Sequence, residues 1–142
     1  MDVLVPIDGS DPSMAALEYA CTTHPKDTIT VLYVSNLKSG HNRFMGGGSF
    51  RDWTRTEKRN AQELFERARE KADSFDVDIE TAHEFEDPIR YIVGYAAEHD
   101  FDLIVIGNRG LDGFSRLALG SVAERVVRRA SMPVVVVKAD NS

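Results

Sequence analysis

A chain of 142 residues with 42% apolar and 28% charged side chains has the size and composition of one soluble globular domain built on one substantial core. Its net charge of −6, with the acidic excess carried by residues 1–110, argues against the basic surface that general nucleic-acid binding needs. Cys21 is the only cysteine, so no internal disulfide forms, and no apolar run reaches membrane-spanning length. The expectation is a cytoplasmic protein.

The N-terminal "MDVLVPIDGS" has no basic flank and too short an apolar run for a signal peptide, and it reads as a strand over 3–7. Asp11-Pro12 then places an N-cap aspartate before an N1 proline and opens a helix. "TITVLYV" (28–34) is the second strand. Residues 35–53 form one long irregular segment whose Gly46-Gly47-Gly48 run suits either a lid or a disordered connection. The next helix spans about 54–74, started by Thr54 and Glu57 at capping-box spacing, with Ala61, Leu64, Phe65, Ala68 and Ala72 on its apolar stripe.

"VDIETAH" (77–83) is the third strand. Asp87-Pro88 opens a helix with the stripe Ile89, Ile92, Val93 and Ala96. "DLIVI" (102–106) is the fourth strand, Ser121 and Glu124 give capping-box spacing for a last helix, and "PVVVVK" (133–138) is the fifth strand. The order βαβαβαβαβ implies one α/β domain: an open, twisted, five-stranded parallel sheet with right-handed crossovers and helices on both faces.

Ligands of such sheets bind beyond the C-terminal strand ends, where strand order reverses. Two strand ends carry unusual residues. Pro6 cannot donate to a ladder, and a bend there would present Asp8. Asp8 would then either accept hydrogen bonds from a ligand or organise the turn "DGSD". The fourth strand runs into "GNRGLDGFSRLALGS" (107–121), far longer than a strand-to-helix connection needs.

Within that stretch Gly107, Gly110 and Gly120-Ser121 read as G-x2-G-x9-G-S between a strand and a helix. Free N–H groups at a helix N-terminus and a close backbone approach would make a phosphate cradle, with Arg109 and Arg116 or Mg²⁺ adding positive charge. A flexible loop followed by a plain Ser121–Glu124 cap is the competing reading. The P-loop and the dinucleotide-binding glycine fingerprint are both absent. His24, His41, His83 and His99 show no metal spacing, and Cys21 reads as a buried structural thiol.

"VLVPIDGS", "DLIVIGNRGLDGFSRLALGSVAERVVRRASMPVVVVK" and the βα order between them resemble the universal stress protein family over essentially the whole chain. The resemblance implies a Rossmann-like sheet of order 3-2-1-4-5, of the adenine nucleotide alpha hydrolase type, with ATP or another adenine nucleotide between the first and fourth strands; Mg²⁺ is expected to accompany the nucleotide. By position it implies that Asp8 and the backbone near Val34 meet the adenosine part while Pro6 and Ile7 line its pocket. Gly107, Gly110, Gly120 and Ser121 would hold ribose and phosphates, with Val122 following them. Asn108 stands where many relatives have serine or threonine, and Ala123 lacks a hydroxyl that some nucleotide-binding members show. Family members divide into those that bind ATP and those that do not, and this sequence keeps the binding pattern.

The strand 133–138 would be an apolar edge if it ended the sheet, and pairing with the same strand of a second copy would cover it. The resemblance implies the same homodimer. Three functions follow as expectations. The first is a nucleotide-responsive stress or signalling module acting on a protein partner. The second is a slow Mg²⁺-dependent ATPase or self-phosphorylating protein. The third is a nucleotide-free dimerisation scaffold.

Overall fold

The computed structural model describes residues 1–37, 49–109 and 119–139. Five strands, β1 (Asp2–Pro6), β2 (Thr28–Asn36), β3 (Ile79–Glu86), β4 (Leu103–Gly107) and β5 (Val134–Val137), form one parallel sheet of order β3-β2-β1-β4-β5. Four helices connect them: α1 (Asp11–Thr23), α2 (Phe50–Asp73), α3 (Pro88–Glu98) and α4 (Ser121–Arg129). The sheet order and the two-sided helix arrangement expected from the sequence are both observed.

Alternate residues of each strand feed two cores, as the two-residue period dictates. Val3, Val5, Ile29, Val31 and Val105 pack under α1 and α2 with Leu17, Ala20, Leu64, Phe65 and Ala68. Leu4, Leu32, Ile104 and Ile106 pack under α3 and α4 with Ile92, Ala96, Ala123 and Val126. Strands covered on both sides must be apolar on both sides, which is why β1 and β4 read as unbroken apolar runs. Among the described residues no helix is long and apolar enough to cross a membrane.

Several boundaries differ from expectation. The N-cap of α1 is Ser10 rather than Asp11: the Ser10 hydroxyl accepts from the Ser13 N–H at 3.3 Å, which leaves Asp11 inside the first turn. Helix α2 starts four residues before Thr54, capped by Ser49, whose hydroxyl accepts from the Asp52 N–H at 3.3 Å. Thr54 lies one turn inside and donates back to the Phe50 carbonyl at 2.9 Å. Trp53, only 7% exposed, anchors that extra turn. At the other end of the helix, the Val77 N–H bonds the Ala72 carbonyl at 3.0 Å, so residues 77 and 78 belong to the helix exit. Strand β3 therefore begins at Ile79, opposite Ile29, and runs on to Glu86 because β2 supplies partners as far as Asn36.

The Ser121–Glu124 capping box does not form. Gly120 is the N-cap of α4 with no side-chain cap bond, Ser121 is the first helical residue, and Glu124 accepts from Arg128 instead at 3.2 Å.

Candidate functional site

Pro6 determines where the sheet opens. The Ile7 N–H points to β2, donating to the Leu32 carbonyl at 2.9 Å, so by alternation the nitrogen of Pro6 faces β4. Proline brings no donor there. The β1–β4 register accordingly ends at Leu4↔Ile104, while β1–β2 pairing continues to Pro6↔Leu32. Past Leu4 the strands diverge at the point where the chain order reverses.

A cleft of about 160 Å³ occupies this divergence. Pro6, Ile7, Leu32, Val34 and Ile106 come from strand ends, Pro88 and Ile92 from α3, and Val122 and Ala123 from α4. Gly107, Asp8, Ser13 and Arg109 complete the lining. Asp8 is the one carboxylate and Arg109 the one cation among these lining residues. A cleft with mostly aliphatic walls and one carboxylate and one guanidinium in its lining suits a heteroaromatic ring carrying polar substituents.

Asp8 is held from two directions. Its Oδ1 accepts from the Ser10 N–H at 2.9 Å, and its own N–H donates to the Ser13 Oγ at 3.3 Å. Ser13 in turn donates from its hydroxyl to the Ser10 carbonyl at 2.9 Å. The turn-organising role of Asp8 is thus real, and it fixes the carboxylate at the cleft wall. The two readings of this residue are compatible.

The two described ends of the glycine-bearing stretch meet. The Gly120 N–H donates to the Asn108 carbonyl at 2.6 Å, and the Asn108 N–H donates to the Val137 carbonyl at 2.8 Å. A Cβ on Gly120 would fall 2.8 Å from the Arg109 Cα, so glycine is needed for the two ends to meet. Asn108 is buried, and its Oδ1 has no hydrogen-bond partner among the described residues.

Of the residues expected at the site, Pro6, Ile7, Asp8, Val34, Gly107, Arg109 and Val122 line the cleft. Asn108 and Gly120 instead build the closure beside it, and Ser121 lies exposed at the start of α4. Gly110, Arg116 and the Gly46-Gly47-Gly48 run lie outside the described residues. Sequence reasoning missed Ser13, Leu32, Pro88, Ile92, Ile106 and Ala123 as lining. Pro88 and Ile92 carried a usable signal, since the Asp87-Pro88 helix start follows a strand end directly. Ser13 carried none, because its role depends on the hydrogen bond to Asp8.

The universal stress protein family model matches residues 1–138. The chain belongs to that family. Universal stress protein MJ0531 of Methanocaldococcus jannaschii is 34% identical over 141 residues, covering 96% of this chain and 81% of the relative. The structure of hypothetical protein MJ0577 superposes with a TM-score of 0.85 at 22% identity, over 99% of this chain and 97% of that one, and so shares the fold. A universal stress protein solved in complex with cAMP matches at a TM-score of 0.75 and 25% identity, over 99% of this chain and 98% of the other. Family membership and the shared fold agree with the resemblance carried by "VLVPIDGS" and the C-terminal glycine motif.

Proposed function

We propose that this universal stress protein binds an adenine nucleotide, ATP foremost, in the cleft between β1 and β4, and acts as a nucleotide-responsive stress or signalling module. The observation that carries this reading is the largely aliphatic cleft at the β1–β4 switch point, with Asp8 and Arg109 in its lining. The cAMP complex of a relative covering nearly the whole chain supports the same ligand class. Base and ribose would lie against Pro6, Ile7, Val34, Ile92 and Val122, with Asp8 accepting from an amino or hydroxyl group. Arg109, Gly107, Asn108, Gly110, Gly120 and Ser121 would surround the phosphate chain.

Among the described residues no group of three His, Cys, Asp or Glu side chains could hold a metal. Mg²⁺ would therefore enter on the phosphates of the nucleotide, as it does where a protein supplies few ligands of its own. The working form in this reading is a cytoplasmic homodimer paired along strand 133–138, whose valines Val134 to Val137 form the β5 margin of the sheet and are only partly buried.

Calorimetric titration of wild type and Asp8→Ala with Mg-ATP tests the reading. Micromolar binding to the wild type, weakened in the variant, is the expected result. No heat at millimolar ATP from nucleotide-free protein would sink it and favour a dimerisation scaffold.

A further inference from the structure

The wall of the cleft formed by Val34 is supported differently from the rest. Strand β2 pairs with β1 only as far as Leu32, and among the described residues β3 is the ladder partner of its last four, Tyr33 to Asn36. Val34 therefore stands on an overhang, and anything that ties the overhang to β3 fixes that side of the cleft.

One side-chain tie is conspicuous. The Ser35 Oγ lies 2.8 Å from the Nε2 of His83. Ser35 is 1% exposed, so its hydroxyl has no access to water as an alternative partner. The imidazole is wedged between two rings, stacked on Tyr33 with centroids 5.2 Å apart and tilted against Phe85 at 4.6 Å. Trp53 of α2 closes the far side of Phe85 at 5.7 Å, and the Tyr33 hydroxyl donates to Glu57 of α2 at 3.1 Å. Asp8 of the cleft lining acts electrostatically on the same Tyr33 phenol, so the cluster and the cleft are neighbours.

We propose that His83 is a positioning residue for the cleft: its hydrogen bond to Ser35 holds the overhanging end of β2, and with it the Val34 wall, in the ligand-ready position. The functional consequence rests on the nucleotide-site reading above; the mechanical part does not.

The tie depends on protonation. Neutral His83 with its proton on Nδ1 accepts the Ser35 hydroxyl proton at Nε2. A proton on Nε2 reverses the bond: the ring becomes the donor, the Ser35 hydroxyl must turn its own proton to the Tyr33 phenol, and a charge is left among the aromatic rings. Burial is the main influence on the ring and pushes its pKa below the ordinary histidine value. Glu57 and Glu84 oppose that shift, and Lys58 adds to it. A lowered folded-state pKa means that the unfolded or detached state binds the proton more readily. Acidification through the range just below the ordinary value of 6.5 therefore loosens the overhang.

Adenosine is the ligand probe, because it carries no phosphate to titrate between about pH 7.5 and about pH 5.5. Wild-type affinity is expected to fall roughly fivefold across that interval, while in His83→Gln, whatever its affinity at the upper pH, the change across the interval shrinks to within about twofold. In NMR titrations without ligand, the Val34 and Asn36 amides should shift with the same midpoint as the His83 ring. Ser35→Ala should uncouple the amides from the ring while leaving the ring in place.

An unchanged pH dependence in His83→Gln, or Val34 amides that ignore the His83 titration, overturns the proposal. If wild type binds no adenosine at all, the nucleotide reading fails. The amide titration in wild type and Ser35→Ala then decides the tie by itself.

Discussion

A methyl group on Gly107 would lie 2.6 Å from the Pro12 carbonyl carbon and 2.7 Å from the Ser13 nitrogen. The end of β4 thus packs directly on the backbone of the first turn of α1, and a glycine is the only residue that permits it. This glycine of the G-x2-G-x9-G-S motif has a packing duty whatever ligand is bound.

Gly107→Ala is expected to destabilise the protein by roughly 1–3 kcal/mol, because the obstructing atoms are backbone and cannot rotate away. Urea unfolding reads this as a lower midpoint at unchanged slope. A midpoint equal to wild type would mean that α1 shifts freely off β4. The shift would also displace Ser13, and through it Asp8, so weaker nucleotide binding should accompany the lost stability.

The caps give a second test. Ser10→Ala removes the acceptor of the Ser13 N–H at the start of α1, and a loss of about 0.5–2 kcal/mol is expected. Asp11→Ala removes only a favourable charge in the first turn and should cost less, about 0.3–1 kcal/mol. Asp87→Ala, by contrast, deletes an acceptor that meets both the Ile89 and Arg90 N–H groups of α3 and should match Ser10→Ala. Thermal unfolding of the three variants orders them.

These caps also show what the sequence carried and what it concealed. The pair Asp-Pro occurs at both helix starts, yet only Asp87 caps, because at the first site Ser10 is better placed and draws the helix start one residue earlier. Strand identity was legible, since two-sided burial writes unbroken apolar runs into β1 and β4, whereas the sheet order came only with the family resemblance. The cleft was half legible. Pro6 and Asp8 announce themselves as misfits at a strand end, whereas Leu32 and Ile106 look like any other core residue and become lining only because β1 and β4 part beside them. The Ser35–His83 contact was not legible at all, because 48 residues separate the partners and only the β2–β3 register brings them together.

Alkaline stability tests the packing around Tyr33. Burial, reinforced by Glu57, pushes its phenol up to about 12 from an ordinary value of 10.0, and Tyr91 is pushed up to about 12 by burial and Glu84. A raised folded-state pKa contributes stability that is full below the unfolded value and is lost as pH climbs through the folded one. Stability should therefore fall between about pH 10 and about pH 12, and Tyr33→Phe should flatten part of that fall. Phenolate absorbance during alkaline titration should show one ionisation fewer in the late phase. An identical late phase in the variant would place Tyr33 among the ordinary, solvated phenols.

Arg109 should divide the ligand into its parts. It is the only cation among the residues described as lining the cleft, while the walls that would meet the base are aliphatic. Arg109→Ala is accordingly expected to weaken AMP roughly tenfold, the size of one charge-assisted hydrogen bond, and to leave adenosine within about twofold. Gly120→Val reaches the same place by another route, since its Cβ would press 2.8 Å from the Arg109 Cα and 3.2 Å from the Asn108 carbonyl oxygen. The valine variant should therefore reproduce the selective loss of AMP, with some loss of stability added. Paired calorimetric titrations with adenosine and AMP separate the outcomes. Equal losses for both ligands in Arg109→Ala would mean that this side chain shapes the cleft and does not meet the phosphate.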